Sequence, residues 1–167
     1  MIYYTIWILI FYIIFMIFII LIKIKIEKLE KKILYIFNEK NNQIPSIYEV
    51  TKDYLNKHNE IFNELIILKK KDFSENTINT KLTEKTNTYK LIHNELNFIF
   101  KVCNKHPKIN KNHNFLYVKD IIIEISFDLW KRLELYKKIV KKFNNLIFIK
   151  NITIIWLLFP IEKKEEI

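Results

Sequence analysis

Glycine and alanine are both missing from this 167-residue chain. Without glycine there is no flexible loop of the kind that cradles phosphates on bare backbone amides. Arginine occurs once, at Arg132, so the net charge of +10 is almost wholly lysine, and flat, two-pronged recognition of phosphates or base edges has nearly nothing to use. This argues against specific nucleic-acid binding, as does the lack of aromatic residues interleaved with the lysines to stack bases. Cys103 is the single cysteine, which excludes an internal disulfide and a thiolate zinc cluster and permits a reducing compartment. The crowding of Ile, Lys, Asn, Phe and Tyr is what an AT-rich genome produces, so individual lysines and asparagines carry little information.

Charge is also missing from one long stretch, Ile2 to Ile22 (IYYTIWILIFYIIFMIFIILI). At ~1.5 Å per residue such a run is long enough, as a helix, to cross a hydrocarbon core of roughly 30 Å. No Pro or Gly interrupts it, and Thr5 can bond back to a helix carbonyl, so the segment satisfies its own backbone in lipid. It lacks the charged start and small-residue cleavage site of a signal peptide. No Lys or Arg precedes it, whereas Lys23, Lys25, Lys28, Lys31 and Lys32 follow. That asymmetry predicts a single-pass protein of the cell membrane, with the amino terminus outside and the body in the cytoplasm, and Tyr3, Tyr4 and Trp7 at the outer headgroups.

The remaining residues suffice for one domain. Apolar positions at Ile26, Leu29, Ile33 and Ile36 or Phe37 carry the first helix beyond the membrane to about Phe37. Pro45 then disfavours the helical region at Ile44 and suits the first position of a new helix, so a turn is expected there. The stripe Ile47, Thr51, Tyr54, His58, Ile61, Leu65 and Leu68 predicts a second helix. Leu82, Thr86, Tyr89, His93, Leu96, Phe100 and Cys103 predict a third, from about Asn79 to Asn104. After a turn at Pro107, Phe115, Val118, Ile122, Ile125, Leu129, Leu133, Tyr136, Val140, Phe143 and Ile147 form one continuous stripe for a long fourth helix. Helical spacing sustained this long outweighs the strand propensity of the many isoleucines. The predicted fold is all-α: a transmembrane helix (1–23) continuing into an antiparallel four-helix bundle (24–150), then a tail (151–167). The apolar stretch Leu146 to Ile161 is short for a span and interrupted by Lys150 and Asn151. It is expected at the membrane interface or against the bundle, anchored by Trp156 and Phe159, with a second crossing as the alternative.

The arrangement of motifs resembles the LemA family. Ile44 and Pro45 stand where that family has an Ile-Pro after the first helix, and Tyr54 where it has a Gly-Tyr. Pro107, Asn112, Asn114, Phe115 and Leu116 fall in the register of its Tyr-Pro-x-Leu-Lys-x-Asn-x-Asn-Phe-Leu. Ile122, Leu129, Tyr136, Val140, Phe143 and Asn144 continue without a gap. The chain departs where the family has an acidic residue before Ile-Pro (here Asn42 and Gln43), an Arg before Tyr-Asn (Leu133, with Arg132 one place off), an Asn after Tyr (Lys137) and a late Phe-Pro (Lys150 and Asn151). The resemblance implies a membrane-anchored helical bundle of undefined molecular function, and it supplies no catalytic residues.

The residues themselves also present no reaction constellation. His58 and His93 lie on apolar stripes and would be a metal pair if their helices faced each other, but hydrogen-bonded core histidines are the simpler reading, without the repeated Glu/His spacing of bundle metal sites. His106 and His113 flank the Pro107 turn and are expected in solvent. Cys103 with His106 nearby suggests a nucleophile and base, yet nothing orients the pair, and a small apolar side chain under a helix end explains the cysteine. Asn112, Asn114 and Phe115 read as a helix cap with an aromatic plug. No cofactor or metal is called for. Lys137, Lys138, Lys141 and Lys142 form a face that is either solvated or turned to anionic lipid. The function expected is a non-enzymatic scaffold or adaptor whose partners are the bilayer and a membrane protein or its own kind. The alternative is a surface binder of anionic lipid working through those lysines and the apolar tail.

Overall fold

The computed structural model describes residues 2–54, 62–63, 65–67, 82–152 and 161–166. Among these, every regular element is an α-helix: α1 (Ile2–Asn42), α2 (Ile44–Thr51), α3 (Leu82–Lys105) and α4 (His113–Ile152). Two compact units divide the chain, Ile33–Lys131 and Met1–Lys32 with Arg132–Glu166. α1 and α4 contribute to both.

In the Ile33–Lys131 unit the predicted stripes become one core, in which Ile44 and Ile47 of α2, Phe62 and Leu65, Ile92, Leu96, Ile99 and Cys103 of α3, and Phe115, Val118 and Ile122 of α4 pack together. Direction follows from contacts. Phe37 and Lys40 of α1 meet Tyr89 and His93 of α3 in the same order, so those helices run parallel. α4 runs antiparallel to α3, since Asn104 bonds Lys119 near the turn and Tyr89 bonds Ser126 farther along. Each helix thereby shields the apolar stripe of its neighbours, which is the main source of bundle stability.

α1 extends to Asn42, beyond the expected end at Phe37, because Lys40 and Asn41 are buried and hold the last turn against the bundle. Ile44 is helical, contrary to the bias Pro45 imposes on it, and starts α2 itself. Burial of Ile44 and Ile47 offsets that bias. Pro45 sits in the first turn of α2, where a missing N–H costs nothing. The break is thus the single residue Gln43, whose N–H bonds the Lys40 carbonyl. Of the predicted second helix, residues 55–61, 64 and 68, His58 among them, lie outside the described residues.

In the other unit Met16, Ile19, Ile26 and Leu29 of α1 and Tyr136, Val140, Phe143 and Ile147 of α4 are buried. Tyr3 through Phe11 are all exposed. α1 is the one helix among the described residues long and apolar enough to cross a membrane, and only 11% of its apolar window is buried. Of the predicted tail segment Leu146 to Ile161, residues 153–160 lie outside the described residues, with Trp156 and Phe159 among them.

Candidate functional site

Two polar clusters stand out in these apolar surroundings. The first lies in the unit formed by the two long helices. Tyr136, on the buried stripe of α4, donates its hydroxyl to Glu30 Oε1 of α1 at 3.0 Å. Lys164, from the segment after α4, brings its ammonium to both Glu30 oxygens at 3.1 and 3.2 Å. Its backbone is held by Asn144: the amide Nδ2 donates to the Lys164 carbonyl at 2.9 Å, and the Lys164 N–H donates to Oδ1 at 3.0 Å. Asn144 also reaches Glu166 at 3.3 Å. Burial first, then the Glu30 carboxylate, keeps the Tyr136 phenol protonated far above its usual range. The cluster ties two helices and a terminal segment together and offers no group poised for acid–base chemistry.

Tyr136 and Asn144 belong to the residues singled out in the sequence; Glu30 and Lys164 were missed. These last two are 134 residues apart, and a pairing at that separation leaves no local pattern to read.

The second cluster is in the Ile33–Lys131 unit. Lys40 is 0% exposed. Its ammonium lies 4.5 Å above the Tyr89 ring centroid, donates to Tyr89 Oη at 3.3 Å and stands 3.1 Å from His93 Nδ1. On the far side of the imidazole, Asn97 Nδ2 is 3.0 Å from Nε2. Burial alone drops the Lys40 pKa to about 7, and burial followed by the nearby Lys40 charge lowers that of His93. Burial raises Tyr89, with a hydrogen bond from Ser126 opposing it. Sequence reasoning passed over Lys40, although it continues the stripe of Ile33, Ile36 and Phe37 at helical spacing.

The remaining candidates occupy separate places. Asn112 precedes α4 and its Oδ1 accepts the Phe115 N–H at 3.2 Å, capping the helix, while the Phe115 ring is buried against Phe100. Asn114, Pro107 and His113 are exposed, and Ile44 is core. Tyr54 packs edge-on to His106 at 5.7 Å between centroids. His106 is therefore half-buried beneath Tyr54 and not simply in solvent. Cys103 is buried and its thiol is pushed up to about 11, with burial the larger cause and Lys119 opposing it, so a thiolate nucleophile is not available near neutral pH. Both His93 nitrogens already have partners, one of them Lys40, and His58 lies outside the described residues. Among those residues no three His, Cys, Asp or Glu side chains gather as metal ligands. Lys137, Lys138, Lys141 and Lys142 are all exposed on α4, with Lys137 paired to Glu134 at 3.1 Å.

No curated protein and no solved structure matches the chain. The LemA family profile matches residues 30–165, a stretch that starts at the Glu30 contact, takes in the bundle and ends beside Lys164. With that match extending over well more than half of its length, the chain belongs to the LemA family.

Proposed function

We propose that this protein is a non-enzymatic, membrane-tethered scaffold. In this reading α1 crosses the bilayer with its amino terminus outside, and the helical bundle presents a cytoplasmic surface to a membrane protein or to further copies of the same chain. The observation that carries it is the split within α1: Tyr3 to Phe11 are exposed and without charge, whereas buried positions on the same helix begin at Met16 and Ile19 and continue from Ile26 onward. An exposed apolar surface of this length is unfavourable in water and favourable in lipid. The lysines after Ile22 support the orientation. The polar clusters support a structural role, because each joins side chains from separate helices.

The test is fractionation of the full chain. It is expected to stay in the membrane pellet through alkaline carbonate washing and to leave it only with detergent. Recovery in the supernatant refutes the anchor. Proximity labelling from the bundle in cells is expected to mark membrane proteins or the chain itself, and labelling confined to soluble proteins refutes the scaffold role.

A further inference from the structure

Among the described residues no carboxylate meets the buried ammonium of Lys40. Lysines taken out of water are ordinarily paired with an acid. This one has the Tyr89 hydroxyl and ring and His93 Nδ1 as its partners, and burial is the sole cause of its lowered pKa. Glu39, its neighbour in sequence, opens instead into the groove between α1 and α4, together with Glu124 and Asp128. The Lys40 charge therefore acts on whatever lies beyond His93.

What lies there is a second groove, of about 210 Å³, between α3 and α4 of the same unit. Its apolar walls are Leu96 and Phe100 on one side and Ile122 and Ile123 on the other, its polar lining is His93, Asn97 and Ser126, and none of these is acidic. Ser126 gives its proton to the Ile122 carbonyl at 2.6 Å, so it offers the groove no donor. His93 does. The Lys40 ammonium donates to Nδ1 at 3.1 Å, and an imidazole that accepts at Nδ1 carries its own proton on Nε2. Nε2 stands 3.0 Å from Asn97 Nδ2. Two N–H donors that close suit the two oxygens of one carboxylate, and the Lys40 charge lies one imidazole behind them. Asn97 is exposed and can turn its carbonyl to Nε2 when no anion is there.

We propose that the groove between α3 and α4 binds a small organic monocarboxylate, with the carboxylate on His93 Nε2 and Asn97 Nδ2 and the apolar body against Leu96, Phe100, Ile122 and Ile123. Lys40 is a positioning residue: it fixes the imidazole tautomer and supplies the buried charge without touching the ligand. The groove is about seven times the ~30 Å³ share of one liquid water, which suits a single-ring or short-chain acid and excludes a long acyl tail. The site lies wholly within the Ile33–Lys131 unit, so it stands whether or not α1 crosses a bilayer.

The test is a titration of the full, detergent-solubilised chain with sodium benzoate, at a pH below the Lys40 value of about 7. Binding is read from the His93 Nε2 resonance of protein labelled with nitrogen-15 in histidine, assigned by its loss in His93→Gln. Benzoate is expected to move that resonance saturably. Benzyl alcohol, which keeps the ring and lacks the charge, is expected to bind more weakly. So is benzoate to Lys40→Met, which lacks the charge behind the imidazole, and to Asn97→Asp, which sets a carboxylate of the chain itself where the ligand's would go. Each of these losses is expected to be about tenfold or more, the worth of a hydrogen bond to a charged group. Asn97 is exposed, so its variant tests the site even if the change at the buried Lys40 disturbs the core. No saturable response to benzoate overturns the proposal, and so does a smaller loss in any of the three comparisons.

Discussion

Lys40 is the residue whose chemistry is most altered by the fold. In the unfolded chain its ammonium titrates near 10.5, and in the folded bundle at about 7. Between those values the unfolded state holds more protons, so stability rises with pH across that window and is lost as pH falls toward 7. The lowered His93 extends the loss below neutrality, because protonating it places a second positive charge beside Lys40. Thermal unfolding of the detergent-solubilised chain is therefore expected to shift to higher temperature from pH 7 to pH 10. Lys40→Met is expected to flatten that dependence and to stabilise the protein at pH 7 by about 1–3 kcal/mol, since it replaces a desolvated charge by a thioether of similar shape. In this variant Tyr89 keeps Ser126 and His93 keeps Asn97 on Nε2, and only the Nδ1 contact to Lys40 is lost. A flat profile in the unmodified protein would show that Lys40 reaches water. Cys103, buried with its thiol at about 11, is expected to resist thiol-reactive dyes at pH 8 until denaturant is added. Burial of Cys103 was legible from its place on the α3 stripe. Lys40 shows the limit of such reading, because the same stripe position holds a charged residue and only packing reveals that the charge is enclosed.

Helix boundaries are decided by single bonds at their ends. Asn112 caps α4 through the Phe115 N–H, so Asn112→Ala is expected to cost about 1 kcal/mol in denaturant unfolding. The exposed Asn114, one position into the helix, should cost less than half as much on the same change. Equal losses at the two sites would disprove the cap. Along α4, Tyr136→Phe removes the bond to Glu30, whose carboxylate keeps Lys164, and the expected loss is about 1 kcal/mol. The long stripes of α3 and α4 were readable because 3.6-residue periodicity persists through them. The junction of α1 and α2 was read less well. Proline's local preference pointed to a break at Ile44, but burial of Ile44 and Ile47 moved it to Gln43. Propensity is worth fractions of a kcal/mol to about one, and burying an isoleucine more.

On the scale of the whole molecule, the excess of lysine is distributed in a way that matters for binding. Lys23 and Lys25 of α1 and Lys137, Lys138, Lys141 and Lys142 of α4 are exposed in the same unit, so both long helices present ammonium groups at its surface. A fragment beginning at Lys23 is expected to bind anionic vesicles less tightly after Lys137, Lys138, Lys141 and Lys142 are changed to Gln. The difference should vanish near 1 M salt, where screening acts within roughly 3 Å. Equal binding by both fragments at low salt would show a solvated face. The all-helical class, the apolar first helix and the lysine belt after it were determined by the sequence alone, because each depends on the order of neighbouring residues along one helix. The enclosure of Lys40 and the clasp of Glu30, Tyr136, Asn144 and Lys164 were decided only by tertiary structure. Each joins residues far apart in the chain, and no local periodicity records which distant side chain will meet a buried charge.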